Sequence, residues 1–204
     1  IYSVEKFLMA RRFMYWQVYL HKTGLVAEQL LIKILQRAKE LLAKGENVQF
    51  NGALKFFMEN KIPKEEFSQD KLELFAQLDD VDILWAIKSW QDHDDFVLSK
   101  LCKMIINRRL LHVKLKNKPI NEDKLNRHFL SFKNEHQLTD EETAYFVFSG
   151  EIKNQAYNSK SQNINILRSN GRITDVAKAS DQQYLKTLSK TVTKYYMCYP
   201  KVSV

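Results

Sequence analysis

The 204-residue sequence predicts a mainly α-helical fold that ends in a small α+β appendage. Three observations carry this. Apolar residues recur at helical spacing through most of the first 109 positions. Only 5 glycines and 3 prolines interrupt the chain. After Arg109 the pattern changes to short alternating runs and an Asn-Gly dipeptide, which announce strands and a hairpin. Residues 1–109 are therefore expected to form a helical body, and 110–204 the appendage.

Tyr2 to Leu42 is the stretch around which the rest is organised. Val4, Phe7, Leu8, Met14 and Val18 recur at helical spacing and mark a buried face. Ser3 is placed to cap the helix, with Glu5 in its first turn. Gly24 interrupts the pattern without ending it, since a helical glycine costs only about 1 kcal/mol. Beyond it Leu25, Leu30, Leu31, Ile34, Leu35, Ala38, Leu41 and Leu42 form a broad apolar face, and Gly45 suits a helix stop. One long helix over about 3–44, bent at Gly24, is the expectation.

Arg11, Tyr15, Tyr19 and Lys22 fall at i, i+4, i+8 and i+11, so a continuous helix would stack them in one ridge. A guanidinium, two phenols and an ammonium in line suit a phosphorylated, ring-bearing ligand. The same spacing also describes a half-buried helix with packed tyrosines and snorkelling basic side chains.

Further helices are expected over about 51–60, ended by Ile62-Pro63, and over 68–78. Asp79-Asp80 caps a helix over 81–91 with Leu84, Trp85, Ile87 and Trp90 facing inward. Asp94 opens the next, to about Arg108, with Val97, Leu98, Leu101, Met104 and Ile105 as its core stripe. Leu110–Leu115 alternates like a strand, Asn117–Pro119 is a turn, and a charged helix covers about 121–135. Thr139 and Glu142 have capping-box spacing, and Tyr145–Phe148 reads as strand. Ile164–Leu167 and Arg172–Val176 flank Ser169-Asn170-Gly171 as a hairpin. A short helix over 181–188 and a strand over 191–199 close the chain.

A formal net charge of +8 and a pI near 9.3 suit polyanionic partners such as nucleotides or nucleic acid. No apolar run is long enough to span a bilayer, and no signal peptide is read at the start. Cys102 and Cys198 stand far apart, so a reducing, cytoplasmic setting is expected. There is no Gly-rich phosphate loop, no GxSxG elbow and no cysteine nucleophile with a nearby base. The sequence begins Ile1-Tyr2-Ser3 without an initiator Met. A longer natural protein, with part of the site upstream, is the expectation.

The run Tyr2-Ser-Val-Glu-Lys-Phe-Leu-Met-Ala-Arg11, then Tyr15 and Tyr19-Leu-His21-Lys22, resembles a segment of the HD-domain phosphohydrolases. It is most similar to the branch of the SAM-and-HD-domain deoxynucleoside triphosphate triphosphohydrolases. The likeness extends more loosely to the closing Tyr195-Tyr-Met-Cys-Tyr199-Pro. The resemblance implies that this chain is the C-terminal portion of a metal-dependent hydrolase and that Arg11 contacts substrate phosphates. It also implies that Tyr19 lies beside sugar and base. Tyr15 stands where relatives can carry His, and Leu20 departs from the vertebrate Gln. The implied reaction converts a dNTP and water into deoxynucleoside and tripolyphosphate.

The family's divalent metal is held by a His, a His-Asp dipeptide and a distant Asp that precede the Arg11 helix, so no metal ligand and no catalytic residue is expected here. His93-Asp94 looks like the dipeptide but follows that helix. Asp94 is better read as an N-cap and His93 as an exposed loop residue. His112, His128 and His136 lack metal spacing. The resemblance further implies regulatory-nucleotide binding between subunits through Lys22 and Arg108, although His112 replaces a Lys and Arg168 does not align firmly. A solvated basic edge around Arg108, Arg109, Lys114 and Lys116 is the plain alternative. Alone, the chain should be inactive. Two other readings stand beside this one. The first is a nucleic-acid-binding module built on Lys103–Arg127. The second is a homo-oligomer that pairs through the Leu25–Leu42 face.

Overall fold

The computed structural model describes residues 1–155, 157, 163–180 and 190–201. The helix expected over 181–188 lies outside the described residues. In chain order the described elements are α1 (Tyr2–Met14), a π-helical turn (Tyr15–Tyr19), α2 (Lys22–Ala43), α3 (Gly52–Glu59), α4 (Gln69–Ala76), α5 (Asp80–Ser89) and α6 (Phe96–Ile106). They continue with β1 (His112–Lys116), α7 (Glu122–His136), α8 (Asp140–Thr143), β2 (Phe148–Asn154), β3 (Asn165–Leu167), β4 (Ile173–Asp175), α9 (Val176–Ala179) and β5 (Val192–Tyr199). The chain is mainly α with a small α+β part, as its periodicity predicts.

Packing divides the chain into two units. One comprises Ile1–Leu25, His112–Leu138 and Phe146–Val204; the other comprises Val26–Leu111 and Thr139–Tyr145. The opening helix is therefore grouped with the C-terminal strands, and α2 runs out of the first unit into the second.

In the first unit β1, β5 and β2 form an antiparallel sheet with β5 in the centre. His112 pairs with Tyr199 on one side of β5, and Phe148 pairs with Cys198 on the other. The Asn-Gly signal produces the expected hairpin, with Ile166 opposite Thr174 and Gly171 at φ 76°, a left-handed conformation that glycine adopts without strain. Leu8, Tyr157 and Val176 form a small buried cluster against which Val4 and Ile166 pack. The buried Glu5 carboxylate accepts from the Ser180 hydroxyl, as a carboxylate removed from water requires. The Tyr157 hydroxyl donates to Asp175 and accepts the Ile164 N–H at 2.9 Å.

The long opening helix is not continuous. Leu20 N–H bonds back to the Tyr15 carbonyl at 2.7 Å, five residues away, and His21 N–H reaches the Val18 carbonyl at 3.3 Å. His21 directly precedes α2, its Nδ1 accepting Thr23 N–H at 3.3 Å. The break thus falls at Leu20–His21 rather than at Gly24. One extra residue in a π turn leaves apolar periodicity almost unaltered, which is why the pattern read as a single helix. Ser3 lies inside α1 and does not cap it; Ile1 is the N-cap and offers no side-chain bond.

In the second unit α2 supplies the main buried face through Leu30, Ile34, Ala38 and Leu41. These four residues are buried in the chain's own core, whereas Leu31, Leu35 and Leu42 of the same predicted face are half-buried. Trp90 is buried, donates its indole N–H to the Gln49 carbonyl at 2.7 Å, and meets Phe50 edge-on at 5.2 Å. Of the four residues expected inward on α5 and its end, Ile87 and Trp90 are buried, whereas Leu84 and Trp85 are exposed. Asp79 and Asp82 close α5 with a capping box, and Thr139 and Glu142 do the same for α8.

Two further expectations shift. Asp95, not Asp94, caps α6, its carboxylate accepting Leu98 N–H at 2.8 Å. Tyr145, Phe146 and Val147 are buried but form a turn, and the strand begins only at Phe148. A short apolar run satisfies burial in either conformation, so periodicity does not separate them. Among the described residues no helix is long and apolar enough to cross a membrane.

Candidate functional site

α1 and the π turn position the ridge predicted from sequence. Arg11 in the last turn of α1 lies with its guanidinium carbon 5.7 Å from the centre of the Tyr15 ring. Tyr15 and Tyr19 follow with ring centres 5.4 Å apart and planes tilted by 53°. Arg11, Tyr15 and Tyr19 therefore do stand in line. Lys22 does not extend the line as a fourth step, because it begins α2 beyond the break. Arg11 and Tyr15 are half-buried, and Tyr19 is 64% exposed.

Phe7, Met14 and Val18, expected to be buried, lie on the same helix face as Arg11 and are all exposed in this chain; Leu8 is the buried member of the set. The guanidinium thus emerges from an uncovered apolar strip. Such a strip excludes water from an ionic contact once something covers it, which strengthens a guanidinium–phosphate pair.

Sequence reasoning missed the support behind the π turn. The Lys194 ammonium of β5 sits 4.1 Å from the centre of the Trp16 ring, a cation–π contact that holds the turn against the sheet strand. The two residues are far apart in sequence and carry no shared motif, so no local signal pairs them.

Arg108 belongs to the second unit and Lys22 to the first. Arg108 is exposed and follows α6 in the left-handed region at φ 53°, a strained setting for a non-glycine residue. Its N–H bonds the Ile105 carbonyl at 3.1 Å, and Arg109 N–H bonds Met104 at 2.9 Å, which closes the helix end.

The residues present do not fit a metal centre. Among the described residues, no three or more His, Cys, Asp or Glu side chains gather so as to hold a metal ion. His93 is half-buried rather than exposed, and its Nδ1 accepts the Asp95 N–H at 3.0 Å. It therefore serves the junction before α6.

No family model matches the sequence. The chain is 38% identical over 112 residues to the uncharacterized protein YwfO of Bacillus subtilis (strain 168), an alignment that covers 54% of this chain and 24% of that protein. It is 44% identical to a phosphohydrolase of Bacteroides thetaiotaomicron VPI-5482 of known crystal structure, with a TM-score of 0.86. That superposition covers 98% of this chain and 50% of the solved chain. The chain thus spans half or less of the length of each of these proteins, and its fold is similar to the matching half of a phosphohydrolase.

Proposed function

We propose that this chain supplies the substrate-phosphate-gripping part of an HD-type phosphohydrolase that converts deoxynucleoside triphosphates and water into deoxynucleosides and tripolyphosphate. The observation that carries the reading is the Arg11–Tyr15–Tyr19 line beside an uncovered apolar strip. The similarity to a phosphohydrolase over nearly the whole chain supports it.

Arg11 is a planar, permanently charged fork that matches two phosphate oxygens at once. The face of the Tyr15 ring orients that fork. Tyr19, exposed at the end of the line, offers a ring for the sugar and base and a hydroxyl that can donate or accept. A divalent metal, when bound, would supply charge stabilisation and an acidified water; its ligands belong to a part of the enzyme outside this sequence. The Phe7, Met14 and Val18 strip is what that part covers.

A second reading adds a regulatory nucleotide at Lys22 and Arg108. Lys22 is exposed, and the pKa of His112 is lowered by burial first and then by Lys114, Lys201 and Lys22. Activity that is unchanged by GTP or dGTP and by Arg108→Ala would remove this reading.

The deciding experiment uses the full natural reading frame, incubated with the four dNTPs and Mn²⁺ or Mg²⁺, with chromatography of released deoxynucleoside. The expected result is release by the full-length enzyme, none by this chain alone, and none by full-length Arg11→Ala. Intact dNTPs throughout would overturn the substrate assignment.

A further inference from the structure

Large apolar side chains crowd the surface of the second unit within residues 67–85. Phe67 stands in the turn before α4, Leu72 and Phe75 share one face of α4, and Val81, Leu84 and Trp85 share one face of α5. Each is between 39% and 69% exposed. Single exposed apolar residues are ordinary, but a cluster on neighbouring elements marks a surface that a partner covers. Only residues 77–79 separate α4 from α5, which keeps the two helix faces close. Phe57 of α3 anchors the cluster, its ring centre 5.7 Å from that of Phe75 and 6.3 Å from that of Phe67. Phe67 and Phe75 are in turn 6.2 Å apart.

The surroundings of this patch carry the opposite charge to the chain as a whole. Residues 59–82 contain eight Asp and Glu against three Lys, although the full chain has a formal net charge of +8. Glu65, Glu66, Asp70, Glu73 and Asp80 are exposed and, among the described residues, make no ion pair. A hollow of about 470 Å³ opens beside Trp85, with Glu46 and Glu59 on its wall. Lys55 also lines it and reaches Glu59 at 3.9 Å, which leaves Glu46 unpaired. An aromatic ring flanked by carboxylates suits a guanidinium or ammonium group.

We infer that this face of α4 and α5 docks a basic amphipathic helix of another protein, with apolar side chains on the patch and an Arg or Lys in the Trp85 hollow. Apolar side chains three and four residues apart on short helices are the surface that such a helix fits. The acidic rim repels nucleic acid and anionic membrane, so the occupant is a protein segment. A second copy of this chain lacks the complementary face. Outside residues 1–19 and this patch, the exposed large apolar residues are Ile32, Phe96 and Leu130, on three separate helices, and the paired Leu167 and Ile173 of the hairpin. The strip within residues 1–19 is the one that the rest of the enzyme covers under the proposed function.

The test uses the full natural reading frame and a fluorescent peptide of about 18 residues, built of Leu and Lys with Leu along one helical face. A scrambled peptide of the same composition is the control. Anisotropy is read without nucleotide or metal, so the outcome is separate from any hydrolase assay. Saturable binding is expected, at least about tenfold tighter than that of the scrambled peptide. It should weaken at least about tenfold in Leu72→Ser/Leu84→Ser and in Glu65→Lys/Glu66→Lys. It should be unaffected in Glu28→Lys/Glu135→Lys, which reverses equal charge elsewhere. In the native protein, iodide quenching of Trp85, isolated by difference from Trp85→Phe, should fall when the peptide binds. That arm stands even if the leucine variant misfolds. Equal affinity for the scrambled peptide, equal affinity in the two charge-reversed variants, or unchanged quenching would overturn the proposal. A Trp85 that iodide cannot reach before peptide is added would give the face to the rest of the enzyme instead. Self-association that disappears in Leu72→Ser/Leu84→Ser would give it to a second copy, and either result overturns the assignment.

Discussion

The Arg37 guanidinium grips both carboxylate oxygens of Asp95, with Nε donating at 3.1 Å and Nη2 at 2.6 Å. Both side chains are largely buried, and Asp95 at the same time caps α6. Glu40, Glu142 and the Tyr145 ring complete the surroundings of Arg37. One ion pair therefore ties α2, the α6 cap and the turn after α8 into the second unit.

Arg37→Ala is expected to cost about 3–5 kcal/mol in urea denaturation at neutral pH, because it strands the Asp95 carboxylate. Burial raises the Asp95 pKa. The Arg37 hydrogen bond, the Leu98 N–H and the charges of Arg37 and His93 lower it further, and the net direction is down. A depressed carboxylate stabilises the fold above its ordinary range, near pH 4, and that contribution fades as pH falls through the lowered value. The deficit of Arg37→Ala should accordingly narrow as the solution is acidified. A deficit of the same size at all pH values would show that Asp95 is not its origin.

Gly150→Ala should destabilise the central sheet. Gly150 lies opposite Tyr196 across β2 and β5, and an added Cβ would stand 2.5 Å from the Tyr196 hydroxyl oxygen and 2.6 Å from the ring carbon bearing it. The buried ring has to shift, at a cost of about 1–3 kcal/mol typical of overpacking. A thermal melt that matches the parent protein would contradict this.

Cys102 should resist alkylation in the folded state. It is fully buried, and burial pushes its thiol up to about 12, so the reactive thiolate is scarce at neutral pH. Iodoacetamide with mass spectrometry should label it only as urea unfolds the protein. Rapid labelling of Cys102 in buffer would mean that the α6 core opens readily.

Under the proposed function, Arg11→Lys in the full natural reading frame separates charge from shape. Lys retains the charge and loses the two-pronged contact and the stacking on Tyr15, so kcat/KM should fall by about tenfold to a hundredfold rather than vanish. Parent-like kinetics would relegate Arg11 to the solvated rim.

Local chemistry was legible wherever a side chain acts on its own backbone. The capping boxes at Asp79 and Thr139 and the Asn170-Gly171 hairpin emerged where their spacing put them. The Arg11–Tyr15–Tyr19 line was also legible, because i, i+4 spacing keeps these side chains adjacent through the π turn. The break after Tyr19 was not, since a single bond from Leu20 to Tyr15 alters the helix without altering its apolar period.

The sequence by itself determined that the chain is mainly helical with a small strand-bearing end, and that Arg11, Tyr15 and Tyr19 stand in one line. Those properties follow from periodicity and from caps a few residues apart. Tertiary structure alone decided that Lys194 would brace Trp16, that Asp95 rather than Asp94 would cap α6, and that His128 would stack on Tyr199. Each depends on which distant residue arrives next to it. Asp94 and Asp95 are neighbours in sequence, and Arg37, 58 residues from Asp95, bonds the second of them.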